Sequence, residues 1–509
     1  MNATKQTRKP KQGDYILEAL RQHFLGGDSY IMSDELYGLC KAEYRNLNYD
    51  SFQRDVAFLM REGKLHREGR RLYISGTWEL EEDAAMRLAE LCADNDLTAP
   101  HIPETLTVRG ITLTPEQRDA TEMVLSHRLS TILGDAGCGK TTMVYAIAQN
   151  GRGEVLVCAP TGKAAQNLRE RTGLPARTVH SALGKGYEED DEPLPPVKWP
   201  FVRTVILDEA SMMTLALLDG ILGKVPEDCS VVLIGDPKQL PSVGSGNVIP
   251  DLLELGFPSA YLHTNHRQSD AAAGLLNNVV GFEHISSLEE LTIDESFVLE
   301  TANDQKQALL STARHAVQML SDGCSFQVLA SRNATVKALN KLIQQAWNPA
   351  REGVQTLTYQ DKTFHSGDKV IITRNNYDLR CWNGDIGILV VMAGNETVND
   401  PNEYLYGVVL EDGRFPVWFG SSDLEYLELA YAITVHKAQG SEFDDILMPL
   451  TMESSRMLYR NLFYTAASRA RRRVTIYGSR NAVDVALHSI PPQRRSMLVP
   501  KTRMRMARP

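Results

Sequence analysis

Eight consecutive residues, Gly134-Asp135-Ala136-Gly137-Cys138-Gly139-Lys140-Thr141, follow an apolar run at Ser130–Leu133 and precede a helical pattern that starts at Thr142. Glycines without Cβ atoms let successive backbone N–H groups converge on phosphate oxygens, and the start of a helix adds partial positive charge. A lysine at the sixth place after the first glycine pairs with terminal phosphates, and the hydroxyl beside it suits Mg²⁺. Gly134, Gly137, Gly139, Lys140, Thr141 and Thr142 therefore form a candidate cradle for ATP with Mg²⁺. Further along, Val205-Ile206-Leu207 runs into Asp208 and Glu209. Splitting a phosphoanhydride needs a metal held at a strand tip and a base for water. Asp208 suits the metal, and Glu209 suits the base. Alone, such a pair is an acidic strand end facing solvent; the glycine-rich loop before it gives it chemical meaning. Gln117, in Leu113-Thr114-Pro115-Glu116-Gln117, carries a donor and an acceptor side by side, which suits an adenine edge. Unaided, the same segment is a helix N-cap with an exposed glutamine.

The elements that must position these residues are legible from about residue 110 onward. There, apolar strand runs alternate with helical patterns, the signature of a parallel sheet covered by helices. Buried-strand candidates are Ser130–Leu133, Val155–Ala159, Thr204–Leu207 and Val231–Ile234. A second region of this kind runs from about 263 to 490 and is interrupted at 355–424 by short strands with turns at Asn383-Gly384 and Asp412-Gly413. Ahead of the first region, helical patterns at Asp14–Phe24, from Ser33 as a cap, and at Ser51–Leu65 precede a hairpin at Lys64–Ile74. That order resembles a winged helix, whose third helix often enters a DNA groove. Only Arg54 and Arg61 stand there, so protein contact and DNA contact remain equal alternatives. Glu79–Ala93 reads as a connecting helix.

The chain has 509 residues, 43% hydrophobic and 23% charged, which sets aside disordered, collagenous and disulfide-scaffold classes. No apolar run approaches the roughly 18 residues that a membrane span needs. The polar, basic start MNATKQTRKPKQG does not read as a secretory signal. Seven scattered cysteines without a CxxC pair fit a reducing cytoplasm rather than zinc modules. Net charge is −10, but residues 1–13 carry four Lys/Arg and 492–509 carry six, neither with an acid, so the body between them stands at −20. Screening confines each charge to about 10 Å, so an acidic total leaves room for a local basic channel. The two basic tails are candidate phosphate contacts or plain solvated tails.

Further segments follow in a fixed order: Ala159-Pro160-Thr161-Gly162-Lys163, Thr178-Val179-His180, Gly235-Asp236-Pro237-Lys238-Gln239, His266-Arg267-Gln268, Thr434-Val435-His436-Lys437-Ala438-Gln439-Gly440-Ser441-Glu442 and Tyr464-Thr465-Ala466-Ala467-Ser468-Arg469. With the glycine-rich loop and Asp208-Glu209, this set resembles the motifs of superfamily 1 helicases and, among them, of the RecD-like group (superfamily 1B), over about residues 110–480. The resemblance implies two RecA-like lobes with ATP between them: lobe 1 at 109–262, and lobe 2 at 263–354 and 425–490, with an SH3-like barrel inserted at 355–424. The winged-helix-like part then occupies 14–75 and the connector 76–108, with basic tails at 1–13 and 491–509. The resemblance makes Arg267 and Arg469 arginine fingers, Gln239 a γ-phosphate sensor, and Gly440 and Glu442 contacts to phosphate and ribose. His266 stands where the family commonly has an adenine-stacking aromatic.

The same resemblance places Thr161, His180, Thr434, His436 and Lys437 on a single-strand path. Hydroxyls, imidazoles and amines suit phosphate and sugar contacts that position without reading sequence. Between the third and fourth motifs the family carries a strand-separating pin. Here that stretch, 182–201, holds Glu188–Glu192, then Pro193, Pro195 and Pro196, and the aromatic tip candidates Tyr187, Trp199 and Phe201. Trp382, Arg374 and Asn375 in the barrel are candidate DNA contacts, Trp382 equally a core residue. The implied activity is an ATP-driven 5′–3′ DNA helicase acting on single strands and single/double-strand junctions, with a protein partner possible through the N-terminal part or the tails. The alternative is a single-strand-stimulated ATPase that acts as a clamp or displaces proteins with little strand separation.

Overall fold

The computed structural model describes residues 12–507 apart from residue 25, 99–100, 185–195, most of 265–292, 377–378, 380, 392–405, 412 and 415. His266 and Arg267, Glu188–Glu192 and Tyr187 of the pin segment, nearly all of the 1–13 tail and Asp412 lie outside the described residues.

The first parallel sheet has strand order Ser259–Leu262, Leu129–Gly134, Ser230–Gly235, Val202–Leu207, Glu154–Ala159, Ala176–Thr178. Every pairing in it is parallel. Its central strands are buried along their whole length. Covered on both faces, such strands read as continuous apolar runs rather than alternations, which is why the sequence exposed them. The second parallel sheet orders Phe297–Thr301, Ala470–Gly478, Phe443–Leu450, Phe326–Ala330 and Ala432–Thr434, again all parallel. These are two RecA-like lobes. The barrel is a five-stranded antiparallel sheet, Val417–Phe419, Tyr406–Leu410, Ile386–Val391, Lys369–Ile372, Leu427–Leu429, with a separate hairpin at Thr356–Tyr359 and Lys362–His365. It is tied to the second lobe by Asp368. That fully buried carboxylate accepts from Gln344 Nε2 at 2.6 Å, Asn348 Nδ2 at 2.8 Å, the His365 N–H at 2.7 Å and Tyr431 Oη at 2.9 Å.

The N-terminal part is three helices, Asp14–Phe24, Ser33–Glu43 and Tyr49–Arg61, packed on a three-stranded antiparallel sheet that includes Leu65–Glu68 and Arg71–Ile74. Two boundaries differ from expectation. Ser33 is the first helical residue and Met32 the N-cap, while the third helix starts at Tyr49 because Asn48 accepts from the Ser51 N–H at 2.8 Å. The connecting helix begins at Ser75, directly after the last strand, so no break separates strand and helix.

The largest correction concerns the C-terminal tail. Residues 491–507 are a docked strap, and Leu498–Met506 is a helix packed on Ser75–Ala93. Lys501, 4% exposed, lies 3.0 Å from Glu82 and 3.5 Å from the fully buried Glu81. Its ammonium also stands over the rings of Tyr73 and Trp78, at 5.3 and 5.2 Å. Basic residues that read as a solvated run find acids on an apolar helix face, and their aliphatic stems bury with it. Among the described residues no helix is long and apolar enough to cross a membrane.

Candidate nucleotide site

In a parallel sheet the loops at the carboxyl ends of the strands gather at one edge, and the chemistry-bearing residues sit there. Leu129–Gly134 leads into the glycine-rich loop, Val202–Leu207 into Asp208 and Glu209, and Ser230–Gly235 into Asp236. Gly134 is required by close approach, since a Cβ there would stand 2.4 Å from Cys138 Sγ. Gly139 is required by conformation: it caps the helix Lys140–Asn150 at φ 86°, in the left-handed region that favours glycine. Lys140 Nζ donates to the Gly134 and Asp135 carbonyls, both at 2.7 Å, so it lies folded over its own loop.

A cavity of about 320 Å³ opens at this edge between the lobes. From the first lobe it is walled by Gly137, Gly139, Lys140, Thr141, Asp208, Glu209 and Gln239; from the second by Gly440, Glu442, Ser468 and Arg469. Glu209 adopts φ 52°, ψ 41°, a conformation sparsely used by non-glycine residues and costing about 1–3 kcal/mol. Such strain aims a side chain only where the surroundings enforce it; here the enforced side chain is the base candidate. Burial, reinforced by the Glu209 charge, raises the Asp208 carboxyl well above its usual range.

Two polar atoms decide what the cavity fits. Gln239 Oε1 and Arg469 Nε are buried there without a hydrogen-bond partner. An acceptor and a cationic donor from the two lobes that line one cavity, desolvated but unsatisfied, call for a ligand that carries oxygens, negative charge and a donor or a metal-bound water. A nucleoside triphosphate with a divalent metal supplies all of these. Thr141 and Asp208 would hold the metal, consistent with Mg²⁺, which keeps waters and takes one or two protein ligands plus phosphate oxygens. Among the described residues no cluster of three or more His, Cys, Asp or Glu offers an alternative metal cage.

The structure also supplies residues to which the sequence reading gave no role. Asp236 is fully buried, and burial raises its carboxyl above the usual range. Tyr464, from the second lobe, donates its hydroxyl to Asp236 Oδ2 at 2.7 Å, and the Tyr464 hydroxyl oxygen accepts from the Ala136 N–H of the glycine-rich loop at 3.2 Å. One phenol thus joins the phosphate loop, the third motif and the second lobe. Asn167 donates to the Gly440 carbonyl, and Arg171 pairs with Glu442 at 2.9 Å, so Glu442 is held by arginine from the first lobe. The motifs contained Asp236 and Tyr464; what no spacing could show is that they meet.

Other expected residues fall elsewhere. Gln117 is 3% exposed and does not line the cavity. Its Oε1 accepts from the Thr114 N–H at 3.2 Å while Thr114 Oγ1 accepts from the Gln117 N–H at 3.2 Å, a reciprocal capping box rather than an exposed glutamine. Thr142 is half-buried inside the helix and off the cavity wall. Thr161 lies two residues past the strand Glu154–Ala159 and caps the next helix, accepting from the Ala164 N–H at 3.2 Å. His180 is exposed in the short helix Val179–Ala182. Thr434 closes the strand Ala432–Thr434 and accepts from the Lys437 N–H at 3.2 Å. Burial lowers the His436 pKa, so that imidazole is neutral at pH 7, and Lys437 is paired with Glu428. Thr161 follows a parallel strand of the first lobe, and Thr434 is the last residue of one in the second. The barrel reaches the first lobe beside Thr161: Trp382 is 7% exposed under Arg169, and the buried Asp385 accepts from Lys163 Nζ at 3.0 Å. Trp382 is therefore interface core.

Residues 112–303 match a family model described as an AAA domain, 339–402 the ATP-dependent RecD-like DNA helicase SH3 domain, and 429–477 the UvrD-like helicase C-terminal domain. The RecBCD enzyme subunit RecD of Mycolicibacterium smegmatis is 30% identical over 425 residues, covering 73% of this chain and 72% of the relative. The ATP-dependent RecD2 DNA helicase of Deinococcus radiodurans is 33% identical over 390 residues, covering 74% of this chain and 50% of the relative. Among solved structures, Bacteroides Pif1 bound to single-stranded DNA aligns at 20% identity and TM-score 0.49, over 72% of this chain and 92% of the other. The chain belongs to the RecD-like helicase family.

Proposed function

We propose that this chain is an ATP-dependent helicase that moves 5′ to 3′ on single-stranded DNA and separates the duplex ahead of it, using Mg²⁺-ATP. The observation that carries the reading is the inter-lobe cavity, which Gln239 and Arg469 line together with the phosphate loop and where Gln239 Oε1 and Arg469 Nε are buried and unsatisfied. Lys140 and the loop N–H groups bind the triphosphate tail. Glu209 takes the proton of the attacking water, and Arg469 neutralises charge that grows on the transferred phosphoryl group. A Mg²⁺ held by Thr141 and Asp208 would screen the phosphate charge and orient the tail. Gln239 and Tyr464 connect the state of the cavity to the second lobe, so opening and closing of the cleft moves Thr161 and Thr434 relative to each other along a strand.

The relatives' names supply the nucleic-acid class, DNA, and the family resemblance supplies the direction. The test uses duplexes carrying either a 5′ or a 3′ single-stranded tail, with Mg²⁺-ATP, reading strand separation and ATP turnover together. Unwinding from the 5′ tail alone is expected. Unwinding from the 3′ tail would overturn the direction, and stimulated turnover without unwinding from either tail would favour a clamp or remodeller. Lys140→Ala is expected to lower turnover below detection while single-strand binding without nucleotide persists; an active Lys140→Ala protein would overturn the site.

A further inference from the structure

The loop that carries Gln239 is fixed at two places. Toward the cleft, Leu240 is fully buried in the core of the second lobe. Its N–H donates to Thr465 Oγ1 at 2.8 Å, its carbonyl accepts from Gln439 Nε2 at 3.3 Å, and the Gln239 carbonyl accepts from Asn461 Nδ2 at 3.1 Å. On its outer side the same loop is gripped by Arg494. Its Nη1 donates to Ser242 Oγ at 3.2 Å, the Gly244 carbonyl at 3.3 Å and the Gly246 carbonyl at 2.7 Å, and its Nη2 donates to the Ser242 carbonyl.

Arg494 lies on the strap that leaves the last helix of the second lobe, Arg480–His488, and runs to the docked helix Leu498–Met506. Its neighbour Arg495 fastens the strap to the N-terminal part: the Arg495 N–H donates to Asp28 Oδ1, and the Ser29 N–H to the Arg495 carbonyl, both at 2.7 Å. The Gly246 N–H donates to the Gly27 carbonyl at 3.1 Å, and a Cβ on Gly27 would stand 2.3 Å from the guanidinium. Three parts of the chain meet on one side chain. A guanidinium suits this place, because its donors form a rigid planar fork that fixes several oxygens at once, which a lysine cannot do. Its desolvation is offset only if those donors are used.

Gln239 has somewhere to go if the grip is lost. It borders the nucleotide cavity and also a second cavity of about 420 Å³, walled among others by Ser211, Pro241, Ser242, Asn247 and Arg494. We infer that Arg494 is a positioning residue for ATP turnover: by fixing Ser242, Gly244 and Gly246 it keeps Gln239 aimed at the nucleotide cavity. The inference rests on the nucleotide reading of that cavity. ATP is bound by the phosphate loop, which Arg494 does not touch, so its loss affects kcat and leaves KM for ATP in place.

The test is single-strand-stimulated ATP turnover by the full chain, comparing Arg494→Gln, Arg494→Lys, Gln239→Ala and the double variant Gln239→Ala with Arg494→Gln. Each Arg494 variant is expected to lose roughly tenfold in kcat, less than the hundredfold that a 1 Å misplacement can cost, with KM for ATP within about twofold. Arg494→Lys keeps the stem and the charge in the same packing, so it reports loss of the fork in a folded chain. In the Gln239→Ala background, Arg494→Gln is expected to cost nothing further, because the group it positions is gone. Unchanged kcat in Arg494→Lys, or a double-variant loss equal to the product of the two single losses, would overturn the inference. Lys140→Ala is measured alongside. If it stays active, the nucleotide reading falls and the inference with it. If it is inactive while both Arg494 variants turn over like the parent, only the inference falls.

Discussion

The two parallel sheets meet one cleft with unequal equipment. The first lobe brings a backbone cradle, Lys140, the carboxylates Asp208 and Glu209, and the amide of Gln239; the second brings Arg469, Tyr464 and the turn at Gly440. In the function proposed above, most groups that bind the resting triphosphate lie on the first lobe, with Gly440 and Glu442 added from the second, and groups that answer a change in charge lie on the second lobe or cross between them. Substitutions on the first face should therefore damage binding or water activation, and those of charge-answering groups on the second should spare binding and remove turnover.

Arg469→Ala breaks the comparison most severely. A guanidinium that meets charge developing in the transition state is worth about 10³-fold or more in rate. Turnover should fall by about that factor while a fluorescent ATP analogue binds within a few-fold of the parent. Weak analogue binding in this variant would make Arg469 a ground-state ligand and erase the division between the lobes. Glu209→Gln is next. Loss of a positioned general base costs about 10²–10⁴-fold, with binding kept. Single-turnover hydrolysis on rapid mixing measures the chemical step directly, and a normal rate would remove Glu209 from its role.

Tyr464→Phe tests the link rather than either face. The phenol donates to the buried Asp236 and accepts from the Ala136 N–H, and a hydrogen bond to a charged partner contributes about 1.5–3 kcal/mol. The hydroxyl is lost while the ring stays packed, so turnover should drop about tenfold. Stimulation by single-stranded DNA should weaken more than the basal rate, which steady-state assays with and without an oligonucleotide would measure. Equal loss in both would make the bond purely structural.

This link also marks where the sequence stopped being readable. The first sheet was legible because parallel strands buried on both faces read as apolar runs, and the glycine-rich loop because its glycines have local conformational reasons. Glu209 was legible as an acid after a strand; its left-handed backbone was not, because strain is imposed by surroundings. For Gln117 the helix N-cap was legible, but the burial of its side chain in a reciprocal capping box was not, because exposure is set by tertiary packing. The tail at 491–507 was misread because a run of cations looks the same whether it faces water or the acids Glu81 and Glu82. Asp236 with Tyr464, and Arg494 with its three carbonyls, are separated by long stretches of chain; only packing brings them together.

The smallest predicted effect concerns the barrel, whose two attachments repeat the contrast between the lobes. On the second lobe Asp368 accepts only neutral donors, from Gln344, Asn348, His365 and Tyr431, in a fully buried network. On the first lobe Asp385 takes a cation from across the interface, Lys163, and also pairs with Arg414 at 2.6 Å within the barrel. A neutral buried network gives a rigid joint, because an unpaired partner has no water to turn to. At the Lys163–Asp385 contact only the lysine, 17% exposed, can turn to water, and Arg414 keeps the buried Asp385 satisfied after Lys163 leaves. The barrel should thus travel with the second lobe and part from the first. Lys163→Gln should leave KM for ATP unchanged and speed release of a labelled single strand by about two- to fivefold, the range expected when a pair contributing up to about 1 kcal/mol is lost. Release would be followed in stopped flow without nucleotide, where the interface is not also being driven by the cleft. An unchanged release rate would mean that the strand leaves without parting the barrel from the first lobe, and that the Lys163–Asp385 contact is a fixed joint like the one at Asp368.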